Sequence, residues 1–153
     1  MPKYETIRPV PHSAEQMFAL VADAERYPEF LPMCEALTIR ERRERDGQTL
    51  LIADMTVGYK AIRETFTSQV QLIPSEHLIK VRYLDGPFKT LDNRWTFNPR
   101  GPSACDVHFF IDYEFRSRML GMVMGAMFDR AFRMFAEAFE RRADVIYGAT
   151  GIA

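Results

Sequence analysis

The stretch Ser117–Tyr147, SRMLGMVMGAMFDRAFRMFAEAFERRADVIY, limits what the rest of the chain can be. Its pattern predicts one helix of about thirty residues, roughly 45 Å long. Ser117 is placed to cap its start and Gly148 to end it. At about 100° per residue, Asp129, Arg130, Arg133, Glu137, Glu140, Arg141 and Asp144 share one arc roughly 120° wide. Leu120, Met124, Met127, Phe128, Ala131, Phe132, Phe135, Ala138, Phe139, Val145 and Ile146 fill the remainder. So broad an apolar face needs a covering surface of similar extent. The upstream half differs. From Met119 to Phe128 there is no charge, and Met119, Met122 and Ala126 occupy the stripe that is charged further on. That half meets something outside its own core, or another part of the chain covers it. Gly121 and Gly125 weaken the helix there.

The rest of the chain supplies the covering surface. Tyr4, Thr6 and Arg8 alternate with Glu5 and Ile7 as a short first strand, closed by Pro9 and Pro11. Ser13 and Gln16 form a capping box for a helix with Met17, Phe18, Leu20 and Val21 on its apolar stripe. Asp23 is placed to cap a second short helix, which Tyr27-Pro28 limits. Pro28 and Pro32 then bracket Phe30 and Leu31 in a stiff apolar loop.

From Leu37 the period becomes two. Leu51, Ala53, Met55 and Val57 share a face, as do Ile62, Glu64, Phe66, Ser68, Val70 and Leu72. Ile79, Val81 and Tyr83 follow, then Leu91, Asn93, Trp95 and Phe97. Cys105 to Phe115 gives the cleanest alternation. Turns are expected at Asp46-Gly47, Gly58-Tyr59, Pro74-Ser75, Asp85-Gly86-Pro87 and Asn98 to Pro102. Short connections predict an antiparallel meander. The fold class is therefore α+β: a curved antiparallel sheet of about seven strands wrapped round a long C-terminal helix, with two short helices after the first strand. A curved sheet leaves space against a helix where facing side chains cannot fill it. One domain spans 1–148, and 149–153 is a short tail.

Composition narrows the function. With 47% hydrophobic and 27% charged residues, the chain is neither disordered nor a membrane span. A net charge of −1 argues against DNA or general nucleic-acid binding. Cys34 and Cys105 form no CxxC pair, so no metal is expected, and a reducing, cytosolic setting follows.

Four segments carry a family resemblance: YPEFLPMC (27–34), ETFTSQV (64–70), GPFKTLDNRWTF (86–97) and VHFFIDYEFRSRML (107–120). With them the chain resembles the START-like, polyketide cyclase superfamily of helix-grip folds. Within it, the chain is most similar to the coenzyme Q-binding family and its bacterial relatives. The resemblance implies binding of ubiquinone or a similar isoprenoid lipid in support of respiration. Some bacterial relatives are instead toxins that block ribosomal subunit association.

Candidate chemistry is sparse. His12, His77 and His108 lie on separate elements and are expected at the surface. No HExxH, GxSxG, GxGxxG or phosphate-binding loop is present. Both cysteines are expected in the core. The charged run Arg40 to Asp46 reads as a solvated hairpin edge. Glu64, Ser68 and Asn93 stand out, because alternation turns them towards the helix together with Phe66, Val70 and Trp95. A few inward polar groups among aromatics suit a lipid headgroup or quinone carbonyl.

The expected ligand site is Glu64, Phe66, Ser68, Asn93, Trp95, Phe109, Tyr113, Met124, Phe128 and Phe132. Its mouth, or a membrane contact, is expected at Phe30, Leu31, Met119 and Met122. The expected function is a non-enzymatic carrier or chaperone for an isoprenoid quinone, with the quinone as cargo and no cofactor. The expected partners are a hydrophobic small molecule and, transiently, the inner-membrane surface. Two alternatives stand beside it: an inhibitor that contacts the ribosome, and a cyclase or aromatase using Glu64 or a histidine as acid–base.

Overall fold

The computed structural model describes residues 3–59 and 61–148. The tail at 149–153 lies outside the described residues. In chain order, β1 (Lys3–Val10) leads to α1 (Ala14–Ala22) and a 3₁₀ segment at Ala24–Glu29. Six strands follow: β2 (Cys34–Arg45), β3 (Gln48–Tyr59), β4 (Ile62–Ile73), β5 (Leu78–Asp85), β6 (Phe88–Pro99) and β7 (Cys105–Phe115). α2 (Arg118–Tyr147) closes the chain. The sheet order is β1-β7-β6-β5-β4-β3-β2, antiparallel throughout. This is the expected helix-grip arrangement. The meander runs from β2 to β7, and β1 adds to its far edge beside β7.

Local chemistry accounts for most boundaries. The Ser13 and Gln16 capping box forms, with both bonds at 3.0 Å. Ser117 caps α2 by accepting from the Leu120 N–H at 3.1 Å. Asp46 and Gly47 both take positive φ, 54° and 78°, as a tight two-residue hairpin turn demands. Extra residues in β2, β5 and β6 interrupt the ladder at Arg40, Leu84 and Lys89, and such bulges bend strands.

Several expectations need correction. Asp23 makes no side-chain cap bond, and Pro28 sits inside the 3₁₀ segment instead of ending it. β3 runs through Gly58 to Tyr59, with Gly58 opposite Arg63. Gly58 lies under the Glu35 carboxylate: an added Cβ would fall 2.1 Å from Glu35 Oε2, the end of a flexible side chain that can swing aside. Val145 and Ile146 are exposed. In the last turns of α2 the inward row is Ala136, Phe139, Ala143 and Tyr147, and Tyr147 donates to the Gln16 carbonyl at 3.1 Å.

His12 is not a surface residue. It is 1% exposed, and its Nε2 donates to Asp144 Oδ1 at 2.7 Å. His77 and His108 are half-buried and pair with Glu15 at 2.8 Å and Glu5 at 2.6 Å. Each histidine therefore has a carboxylate from a distant part of the chain. Such pairs tie α1 to the β5 turn, and the β1–α1 corner to α2.

The core runs along α2. Phe128 meets Phe66, Phe88 and Phe115, while Phe139 meets Trp95, Tyr27 and Phe30. Gly121 and Gly125 pass over Phe115, but an added Cβ would stand 3.5 Å and 4.0 Å from that ring, ordinary contact distances. Neither has a positive φ. Gly121→Ala with Gly125→Ala should therefore stabilise the fold by about 2 kcal/mol, through helix propensity alone. For a chain of this size that corresponds to a rise of about 4–8 °C in the melting temperature, read by circular dichroism. A fall would mean that the helix needs its glycines for another reason.

Candidate functional site

The site begins with two small residues. Ala53 on β3 and Ser68 on β4 are directly paired and point to the inner face. Opposite them, α2 presents Phe132, Phe135 and Phe139. The short side chains do not reach the rings. A cavity of about 90 Å³ remains, counted as space that the centre of a water molecule can occupy. Several waters would fit, since one needs roughly 10–15 Å³ on this measure. It is smaller than the roughly 300–1,000 Å³ of pockets that hold drug-sized ligands.

Its walls come from three directions. Met55, Phe66 and Val70 flank the small pair along β3 and β4, Leu37 on β2 continues the sheet on one side of it, and Ile79 and Val81 on β5 begin the other side. Leu91, Asn93, Trp95, Phe109 and Ile111 complete it on the other. Ala24, Tyr27 and Leu31, from the 3₁₀ segment and the following loop, close the end beside β2. No Asp, Glu, His, Lys or Arg is among these lining residues.

Two polar groups break the apolar surface. Ser68 is 6% exposed and Asn93 9% exposed. Asn93 Nδ2 donates to the Phe110 carbonyl across the strand pair at 2.8 Å. Ser68 Oγ has no hydrogen-bond partner among the described residues. Its neighbours explain this. Ala53 has no polar side chain, and the Tyr83 hydroxyl, which accepts from the Phe88 N–H at 3.0 Å, makes no bond to Ser68. An unpaired buried hydroxyl costs roughly 1–3 kcal/mol, so its place facing a cavity asks for an explanation.

Of the residues singled out in the sequence, Phe66, Ser68, Asn93, Trp95, Phe109 and Phe132 line the cavity, as does Leu31. Glu64 is half-buried but lies off the lining, nearer Tyr83, whose ionisation its charge opposes. Tyr113, Met124 and Phe128 are buried in the adjoining aromatic core, not in the cavity wall. Phe30 packs edge-on against Phe139 and lies beneath Arg142, whose guanidinium is 5.0 Å from the ring centre. Met119 and Met122 do not line the cavity. Neither the first helices nor the Phe30 loop covers them, and both stand out in solvent. Ala24, Tyr27, Leu37, Ala53, Met55 and Phe135 were missed as site residues. Alternation already turns Ala53 and Met55 inward, so that signal was present in the sequence.

Burial disfavours ionisation of Tyr27 in the cavity wall and of the thiols and Tyr113 in the surrounding core. Burial raises the Tyr27 hydroxyl well above its ordinary range, and that hydroxyl donates to the Val21 carbonyl. Burial pushes the Cys34 and Cys105 thiols up to about 11 and the Tyr113 hydroxyl up to about 12. Neither cysteine is thus an activated nucleophile.

Residues 10–140 match the family described as polyketide cyclase / dehydrase and lipid transport. The chain belongs to this family. It is 40% identical over 139 residues to a ribosome association toxin of Vibrio cholerae, covering 91% of this chain and 93% of that one. It is 29% identical over 150 residues to a mitochondrial coenzyme Q-binding protein homolog of Xenopus laevis, covering 95% of this chain and 59% of that one. The crystal structure of the Zhui aromatase/cyclase from a Streptomyces species superposes with a TM-score of 0.83, at 18% identity and over 99% of both chains. That last likeness is one of fold. The START-like resemblance seen in the sequence therefore holds for family and fold alike.

The two cavity polar groups should respond oppositely to removal. Ser68→Ala deletes an unpaired hydroxyl and should leave the empty protein as stable or about 1 kcal/mol more stable. Asn93→Leu deletes a made hydrogen bond and should cost about 1 kcal/mol. Urea unfolding of both variants, without added ligand, reads the two signs. A clear loss in Ser68→Ala would mean that its hydroxyl is satisfied in solution.

Proposed function

We propose that this protein is a non-enzymatic carrier or chaperone for an isoprenoid quinone, or a similar neutral lipid, held in the cavity behind Ser68 and Asn93. One observation carries the proposal: an apolar space lined by no charged residue, with an unpartnered buried hydroxyl facing into it. A charged headgroup would be buried there without a counter-charge, at high cost. A neutral carbonyl or hydroxyl would restore the missing bond of Ser68. Apolar burial, at about 25 cal/mol per Å², supplies most of the affinity. The relative named as coenzyme Q-binding lends support. The absence of acid–base side chains from the lining favours binding over catalysis. At about 90 Å³ the cavity must widen to admit such a ligand, so binding and a shift of the lining aromatics go together.

A second reading has equal support from relatives. A chain 40% identical over most of its length is named for ribosome association. In that reading the protein would inhibit the joining of ribosomal subunits. The net charge of −1 offers no general basic surface for RNA.

Two experiments separate them. Lipid extraction and mass spectrometry of protein purified from its own host should yield a quinone or other neutral isoprenoid lipid. Ala53→Leu, which fills the cavity beside Ser68, should leave the fold intact and weaken binding by about ten-fold or more, equivalent to 1.4 kcal/mol. No bound lipid, together with no micromolar binding of added quinone, would defeat the carrier proposal. Sucrose gradients after overexpression test the other. A rise of free subunits that survives Ala53→Leu would favour ribosome action independent of the cavity.

A further inference from the structure

Size decides which part of a lipid the cavity can take. Counted as water centres, its volume of about 90 Å³ has the space of about six waters, at roughly 15 Å³ each. That is room for a single ring with its oxygens and too little for a chain of isoprene units. The wall has the same preference. Trp95, Phe109, Phe132, Phe135 and Phe139 are all in it, and aromatic faces and edges pack well on a flat guest. Trp95 is central to this set, with its ring centre 4.6 Å from that of Phe109 and 5.0 Å from that of Phe139.

The hydroxyl and amide side chains of the wall are not equally occupied. Tyr27 gives its hydroxyl to the Val21 carbonyl, and Asn93 gives an amide N–H to the Phe110 carbonyl. Ser68 is 6% exposed, and its Oγ has no partner among the described residues. It stands on β4 between Ala53 of β3 and Tyr83 of β5, and neither completes it. A hydrocarbon tail laid against this hydroxyl would leave it unpaired. A ring carbonyl would accept from it. The two ends of an isoprenoid quinone are therefore unequal here, because only one of them removes the penalty of the buried hydroxyl.

From this we infer that the cavity is a headgroup site: it takes the ring of a neutral quinone, Ser68 donates to one ring carbonyl, and the isoprenoid tail lies outside the cavity. Ser68 is then the residue that tells an oxygenated ring from plain hydrocarbon. The inference rests on the carrier reading and adds the orientation of the ligand. The widening that the whole ligand requires falls to its tail. Burial of the tail supplies strength, and the bond to the ring supplies selection.

The chain has one tryptophan, Trp95, and it lines the cavity, so its emission reports on the site. A quinone ring in contact with Trp95 quenches that emission. A ring left at the surface, with the tail inside, quenches it only weakly. Full-length protein is titrated with ubiquinone and with the ubiquinone headgroup lacking a tail, corrected for quinone absorption and with free tryptophan as the control. Both quinones should quench Trp95 to saturation, the headgroup with the weaker affinity, and the two should compete. Squalene, an isoprenoid without oxygen, should fail to displace the headgroup. Ser68→Ala should raise the dissociation constant of each quinone about five-fold, the effect of one lost hydrogen bond. Ubiquinone that binds without quenching Trp95 overturns the inference and leaves the carrier reading in place. So does displacement of the headgroup by squalene, or a Ser68→Ala variant that binds both quinones as tightly as wild type. If neither quinone binds, the carrier reading itself fails and this inference falls with it.

Discussion

Everything in this fold depends on how the phenylalanine row of α2 meets the inner face of the sheet. Phe128, Phe132, Phe135 and Phe139 rise along one side of the helix. At the upstream end Phe128 fits among Phe66, Phe88 and Phe115. At the downstream end Phe139 fits among Trp95, Tyr27 and Phe30. Large rings on both surfaces fill those two regions. Between them the sheet offers Ala53 beside Ser68, and the rings of the helix cannot reach down to them. The cavity is a consequence of that one small pair within an otherwise well-filled interface. Interiors are normally packed to crystal-like density, so a persistent gap marks a place where packing has been given up.

The helix is tied down unevenly. Its second half is bound by polar contacts from outside itself: Arg8 to Glu140, Glu29 to Arg142, His12 to Asp144 and Tyr147 to the Gln16 carbonyl. Its first half has the Ser117 cap and the aromatic packing of Phe128, with two glycines in its first turns. Segments with few buried contacts and weak intrinsic propensity open at lower free energy than the rest of a protein. The exposed methionines therefore sit on the half with fewer polar ties to the rest of the chain, and Phe135 and Phe139 on the half with more.

Sequence alone revealed the architecture because its two periods are strong. Alternation along Cys105 to Phe115 and the charged arc from Asp129 to Asp144 each survive folding nearly intact. Turn chemistry at Asp46-Gly47 and the Ser13 box is local, so it was equally legible. What stayed hidden depends on distance. Nothing near His12 in sequence announces Asp144, 132 residues away. Gly58 reads as a turn until the Glu35 carboxylate is found lying over it. Glu64 shares a face with Ser68, but periodicity does not say where along a strand the cavity stops. Phe66, the next inward residue, closes that end. Val145 and Ile146 were misplaced for a related reason. A helical wheel assumes one buried direction throughout, whereas α2 ends by packing through Ala143 and Tyr147 onto the β1–α1 corner.

A ligand longer than the cavity would need more room at one of its ends, and a triangle of rings stands at each of two of them. Phe66, Phe88 and Phe128 stand 5.0–6.3 Å apart, centre to centre, at the Glu64 end. Tyr27, Phe30 and Phe139 stand 5.2–6.2 Å apart at the loop end. Ring contacts of this kind are each worth about 0.5–1.5 kcal/mol beyond their buried area, so the triangles themselves do not choose between the ends. Their settings do. Phe66 and Phe88 are on strands inside the sheet, in register with Met55 and Phe115 respectively, and moving them disturbs those ladders. Tyr27 and Phe30 are on a short 3₁₀ segment and loop that end at Met33, a non-glycine residue held at φ 67°. A residue held there stores strain that a shift of the loop can release. Of the polar ties on that loop, Glu29 to Arg142 at 2.7 Å and Glu25 to Arg42 at 3.8 Å are exposed or half-exposed, and such pairs are typically worth 0–1 kcal/mol each. On the carrier reading proposed above, the loop end is the cheaper one to open, and the route to Ser68 would run beneath Tyr27 and Leu31.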